Sequence, residues 1–95
     1  MPIRIKRGET LPLLLTPAER DAVVKEVMPP TLEDKLQLGV AKDGEVEFQL
    51  TLDELEDLQG WVAATANHTK RKRLGALLNE VFLKIDSLLM CYTDQ

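Results

Sequence analysis

Apolar residues recur at Leu74, Leu77, Leu78, Val81, Phe82, Ile85, Leu88, Leu89 and Tyr92, in steps of three, four and seven. At about 100° per residue these positions cover one broad stripe, which predicts a helix over 70–92 with a wide buried face. A second helix is predicted over 52–67, where Leu55, Leu58, Val62 and Ala66 share a stripe and Trp61 sits at its edge. The polar interruption Asn67-His68-Thr69 is short, so the two helices are expected to fold back as an antiparallel αα-hairpin. Reflection about residues 68–69 sets Leu55 near Phe82 and Val62 or Trp61 near Gly75, where a missing side chain would make room for the indole.

Upstream the period shortens. Val46, Phe48 and Leu50 alternate with Glu45, Glu47 and Gln49, the pattern of a half-buried strand. Leu36, Leu38 and Val40 alternate too, although Thr31-Leu32-Glu33-Asp34 also carries a helix-start pattern. Lys42-Asp43-Gly44 is the turn between them. A loop of Asp43-Gly44 alone sets Val40 against Glu47 and Leu38 against Gln49, mixing the two faces. A three-residue loop with Gly44 left-handed pairs Val40 with Val46, Leu38 with Phe48 and Leu36 with Leu50. The apolar pattern therefore selects the three-residue loop.

Thr16-Pro17-Ala18-Glu19 opens a helix over 17–28: Thr16 caps, Pro17 suits the first turn and Glu19 can return a hydrogen bond. Val23, Val24, Val27 and Met28 form its apolar side, and Pro29-Pro30 ends it. Thr51-Leu52-Asp53-Glu54 repeats that capping box. Set at an offset of 35, the segments 13–23 and 48–58 match in apolar residues, threonine and glutamate at 13/48, 15/50, 16/51, 19/54 and 23/58. Either two strand-to-helix junctions converged on the same physics, or a β–α unit is duplicated and its strands, 11–15 and 46–50, lie side by side. Residues 1–10 alternate Ile3 and Ile5 with Arg4 and Lys6, which suits an edge strand or a flexible basic tail.

The expected architecture is α+β in a single domain over 1–95. A small sheet holds the 36–50 hairpin, with 11–15 beside it in the repeat reading. It packs on the helix 17–28 and on the hairpin 52–67/70–92. With 44% hydrophobic and 29% charged residues the composition is that of a folded chain, and its few aromatics leave a core of Leu, Val and Ala.

Charge and chemistry narrow the function classes. The net charge of −4 repels polyanions and anionic membranes, so binding either would need a local basic patch. Lys70-Arg71-Lys72-Arg73, with His68 alongside, is such a patch and the candidate anion-binding corner. Arg4, Lys6 and Arg7 are candidate helpers, provided that they converge on it. One cysteine, Cys91, permits no intramolecular disulfide and suits a reducing cytoplasm. No apolar run is long enough to span a membrane, and the N-terminal stretch lacks a secretory pattern. No catalytic, metal or cofactor motif occurs, so the chain is expected to be non-enzymatic and to need no cofactor. Ala76, Leu83 and Met90 repeat every seven residues, opposite the main stripe of the last helix. Either the helix 17–28 covers them or another molecule does. The leading expectation is a protein-interaction or regulatory module, a homodimer through its C-terminal helices. The alternative is a nucleic-acid or polyanion binder.

Overall fold

The computed structural model describes residues 3–6, 8–29 and 32–94. Its elements run β1 (Ile3–Ile5), β2 (Thr10–Leu15), α1 (Pro17–Ala22), α2 (Glu33–Gln37), β3 (Val40–Lys42), β4 (Glu45–Thr51), α3 (Leu52–His68), α4 (Lys72–Cys91) and β5 (Tyr92–Asp94). The fold is α+β, as the sequence predicts. Arg7, Pro30 and Thr31, invoked above as a helper cation, a helix stop and a cap, lie outside the described residues.

One antiparallel sheet, in the order β2-β4-β3, carries the core. Alternation sorts its two faces. Leu11, Leu13 and Leu15 of β2 and Val46, Phe48 and Leu50 of β4 are all buried, and α1, α3 and α4 pack over them. Pro12, Leu14 and Gln49 face outward and are exposed. A proline within β2 is tolerable because β2 is an edge strand. The helices complete the core with Val23 and Val27 from the first helical segment, Leu55, Leu58 and Val62 from α3, and Leu74, Leu78, Val81 and Ile85 from α4. Leu77, Phe82, Leu88, Leu89 and Tyr92 flank that stripe and are half-buried. A second, parallel pair joins β1 to β5, with Ile3 opposite Tyr92 and Ile5 opposite Asp94, so 3–5 is an edge strand rather than a tail.

The hairpin differs from the expected one. Val40 faces Glu47 and Lys42 faces Glu45, leaving Asp43-Gly44 as a two-residue loop. Both turn residues have positive φ, 51° and 83°, the type I′ signature whose twist matches that of paired strands. The face-mixing that argued against this loop is real: Leu38 and Val40 are 75% and 63% exposed. It is tolerated because β3 is short and at an edge, and because Leu36 is buried from α2 instead of from a strand.

The first helix also changes character. After Ala22 it widens into a π-type turn over Val23–Val27, closed by a Met28 N–H to Val23 C=O bond of 3.0 Å. Met28 itself is left-handed at φ 47°, where Pro29 disfavours the right-handed helix. Val23 and Val27 point into the core while Val24 and Met28 are exposed, so the four do not share one side.

Both capping boxes form. The Thr16 and Thr51 side chains accept from the Glu19 and Glu54 backbones, and each Glu carboxylate accepts from the threonine N–H. The strands 11–15 and 46–50 lie side by side, antiparallel, with Leu13 opposite Phe48. Those two residues are also partners at the sequence offset (48 − 13 = 35), so an approximate two-fold axis runs between them. Two ion pairs also link the two units, although Lys35 and Lys84 are not partners at that offset. Glu19 binds Lys84 of α4 at 2.6 Å, and Glu54 binds Lys35 of α2 at 2.9 Å. Each unit thus reads strand, capping box, helix, helix, and the second helix of each supplies a lysine to the other unit's capping glutamate.

Candidate functional site

The strip on α4 follows from helix geometry. Residue 83 lies about 160° around the helix from Ile85, which is fully buried, so Leu83 must face away from the core. It is 49% exposed, Met90 is 72% exposed, and Ala76 completes the line one heptad earlier. The first helix does not cover them. It meets α4 on another side, through the Glu19–Lys84 pair and a cleft lined by Ala18, Ala22, Leu74 and Leu77. Asn79, Glu80 and Ser87 border the strip and are exposed, and half-buried Asp86 accepts from the Gln59 amide of α3 at 3.3 Å. That bond also corrects the expected hairpin stagger, which would put Gln59 opposite residue 78 rather than Asp86. The Trp61–Gly75 fit is absent as well: the atom nearest to a side chain added at Gly75 belongs to Thr69, 3.7 Å away.

The basic corner is divided between elements. Lys70 and Arg71 lie in the loop before α4, and Lys72 and Arg73 form its first turn, so α4 starts two residues later than expected. All four are exposed, as is His68 at the end of α3. Arg71 is engaged, its Nη2 lying 2.7 Å from Glu26 Oε2. Beside that pair a shallow cleft of about 430 Å³ is lined by Trp61, Thr65, His68, Arg71 and Leu74, and Trp61 is 45% exposed. In sequence the aromatics nearest to the Lys70–Arg73 run, Trp61 and Phe82, are each nine residues from it. Helical spacing contains the missing signal, since Trp61, Thr65 and His68 stand at i, i+4 and i+7 of one helix. The second basic group does not join the first. Arg4 and Lys6 lie in and just after β1, which pairs with β5 beyond the C-terminal end of α4. The cluster at residues 70–73 is at the opposite end, one 20-residue helix away, or about 30 Å.

An apolar cleft that the sequence did not reveal lies where the π-type turn meets α2. It holds about 210 Å³ and is lined by Val24, Met28, Pro29 and Leu36, with Glu33 and Gln37 at its edge. Two elements distant from regular periodicity build it, so no single segment announces it. Among the described residues no group of three or more His, Cys, Asp or Glu side chains is placed to hold a metal ion, and Cys91 is free and exposed. No helix among them is long and apolar enough to cross a membrane.

No known protein family matches the chain, and no curated protein or solved structure is significantly similar to it.

Proposed function

We propose that this protein is a non-enzymatic interaction module that associates with a second copy of itself through the exposed strip of α4. The observation that carries this reading is the alignment of Ala76, Leu83 and Met90 along the uncovered face of the longest helix. A helix serving only the monomer would be polar there. Leu and Met on one line suit helix-against-helix contact, and Met adapts to an imperfect partner. A reducing cytoplasmic setting accompanies the proposal, on the strength of the lone free thiol.

The test is sedimentation of the wild type beside two variants. Replacing Leu83 and Met90 together by Glu is expected to give a folded monomer, because both side chains already meet solvent. Leu78→Glu is expected to unfold the chain, because it sets an unpaired charge at a fully buried position. Leu78 is a sharper control than Phe82, which is only half-buried. A wild type that stays monomeric at high concentration rejects self-association.

A second reading, polyanion binding at residues 68–73, is favoured by Trp61 standing beside His68 and Arg71. Two features weigh against it: Glu26 occupies Arg71, and Arg4 and Lys6 are at the far end of α4.

A further inference from the structure

The strip on α4 is paired with a charge pattern that fixes how a second copy would lie on it. The first turn of α4 contains Lys72 and Arg73 and no acid, preceded directly by Lys70 and Arg71. Its last turn contains no base. Cations at a helix start oppose the positive pole of the helix dipole, whose negative pole lies at the carbonyls of the last turn. The start of α4 is thus arranged against its own dipole.

We infer that two copies pair antiparallel, α4 on α4, with the two-fold axis at Leu83; this rests on the self-association proposed above. Ala76 and Met90 are each seven residues from Leu83, about 10 Å along the axis, in opposite directions. The antiparallel arrangement therefore sets the small Ala76 against the long Met90 of the second copy at both ends. Leu83 meets its own equivalent at the centre. At 100° per residue Asn79 and Asp86 fall on one flank of the strip, Glu80 and Ser87 on the other. The axis brings Asn79 to Asp86 of the second copy and Glu80 to its Ser87, giving Glu80 a donor and Asp86 a second one besides Gln59, and keeping like charges on separate flanks. At the ends, the Lys70–Arg73 run comes beside the last-turn carbonyls of the other helix, beyond which lie that copy's Arg4 and Lys6.

A parallel pairing fails on the same observations. It stacks the two four-cation runs on each other, where like charges repel. It also faces Met90 with Met90 and Ala76 with Ala76, crowding one end of the contact and leaving a gap at the other.

Single-cysteine variants distinguish the arrangements. Ala76→Cys and Met90→Cys are each made with Cys91→Ser, checked by sedimentation, and oxidised alone and as an exchanged equal mixture. A disulfide-linked dimer is expected only from the mixture, since residues 76 and 90 approach each other and not themselves. Cross-linking of either variant alone would overturn the antiparallel arrangement while leaving self-association standing. A dimeric protein that cross-links in neither case would show that α4 is not the contact, and a monomeric wild type would remove the self-association itself. A second measurement needs no new thiol. Changing Lys70, Lys72 and Arg73 to Gln is expected to loosen the dimer severalfold at low salt, and a tighter dimer would overturn the inference.

Discussion

Gly39 and Gly44 flank β3 and are required for opposite reasons. A side chain on Gly39 would come within 2.5 Å of the Phe48 ring and 2.6 Å of Val46, so the constraint is space. Gly44 has open space around it but a φ of +83°, so the constraint is backbone conformation. Gly39→Ala is expected to cost about 1–3 kcal/mol, the range for overpacking a closed core. Gly44→Val is expected to cost about 1–2 kcal/mol, the usual penalty for a bulky residue held left-handed. Lys42→Val, on an exposed strand position, should stay within about 0.5 kcal/mol of the wild type. Urea unfolding of the three variants checks the order, and equal midpoints for Gly44→Val and Lys42→Val would show that position 44 is not strained. Gly44 was legible in the sequence as a left-handed turn residue, but the loop length was not. Apolar pairing argued for three residues, whereas the Asp43-Gly44 preference for a type I′ turn prevailed because the strand it closes is too short for its register to cost much burial. Gly39 gave no local signal, since its constraint comes from a ring nine positions away in the chain.

The elements were most legible where sequence and tertiary demands coincide. The two capping boxes, the stripes of α3 and α4, and the alternation of β4 all appear where they were expected, because each is a local pattern that the tertiary contacts reinforce. α2 and the π-type turn were not legible: five-residue elements carry too little periodicity, and Val24 and Met28 turn outward only because the helix changes pitch. At the junctions, Glu54 provides a test of the capping boxes as ion-pair sites. Burial pushes its carboxyl up, but the Thr51 N–H and the Lys35 ammonium outweigh this and hold it below the ordinary 4.5. A carboxyl lowered on folding adds stability above its unfolded value, and that stability is lost as pH falls through the lower folded value. Glu54→Gln is therefore expected to lower stability at pH 7 by about 1 kcal/mol. It should also flatten the decline of the thermal midpoint from pH 4.5 downward. An acid limb as steep as that of the wild type would show that the Lys35 pair does not contribute. The same variant made with Lys35→Met should show little additional loss, since both changes remove one interaction.

For the molecule as a whole, the charge map separates the two functional readings. A net charge of −4 is combined with a basic run at one end of α4 and Arg4 and Lys6 at the other, so no single face concentrates positive potential. Heparin retention at low salt is accordingly expected to be weak and to vanish at about 0.15 M salt, where the screening length is about 8 Å. Retention that persists at that salt and is lost on changing Lys70, Arg71, Lys72 and Arg73 to Gln would favour polyanion binding. Of the candidate sites, the α4 strip could be read from a heptad spacing alone. Its accessibility could not, because that depends on where α1 docks. The Trp61 cleft needed Glu26 and Arg71 to be brought together from distant segments.

The parallel clasp of β1 with β5 also determines how the molecule bears load. Ile3 is at the upstream end of one strand and Asp94 at the downstream end of the other. Tension applied between those two residues slides the strands along each other, so the ladder is sheared as a unit instead of peeled bond by bond. The force passes straight across the clasp, and the sheet and helices lie outside its path. Until those few hydrogen bonds give way, the chain between residues 5 and 92 is mechanically slack.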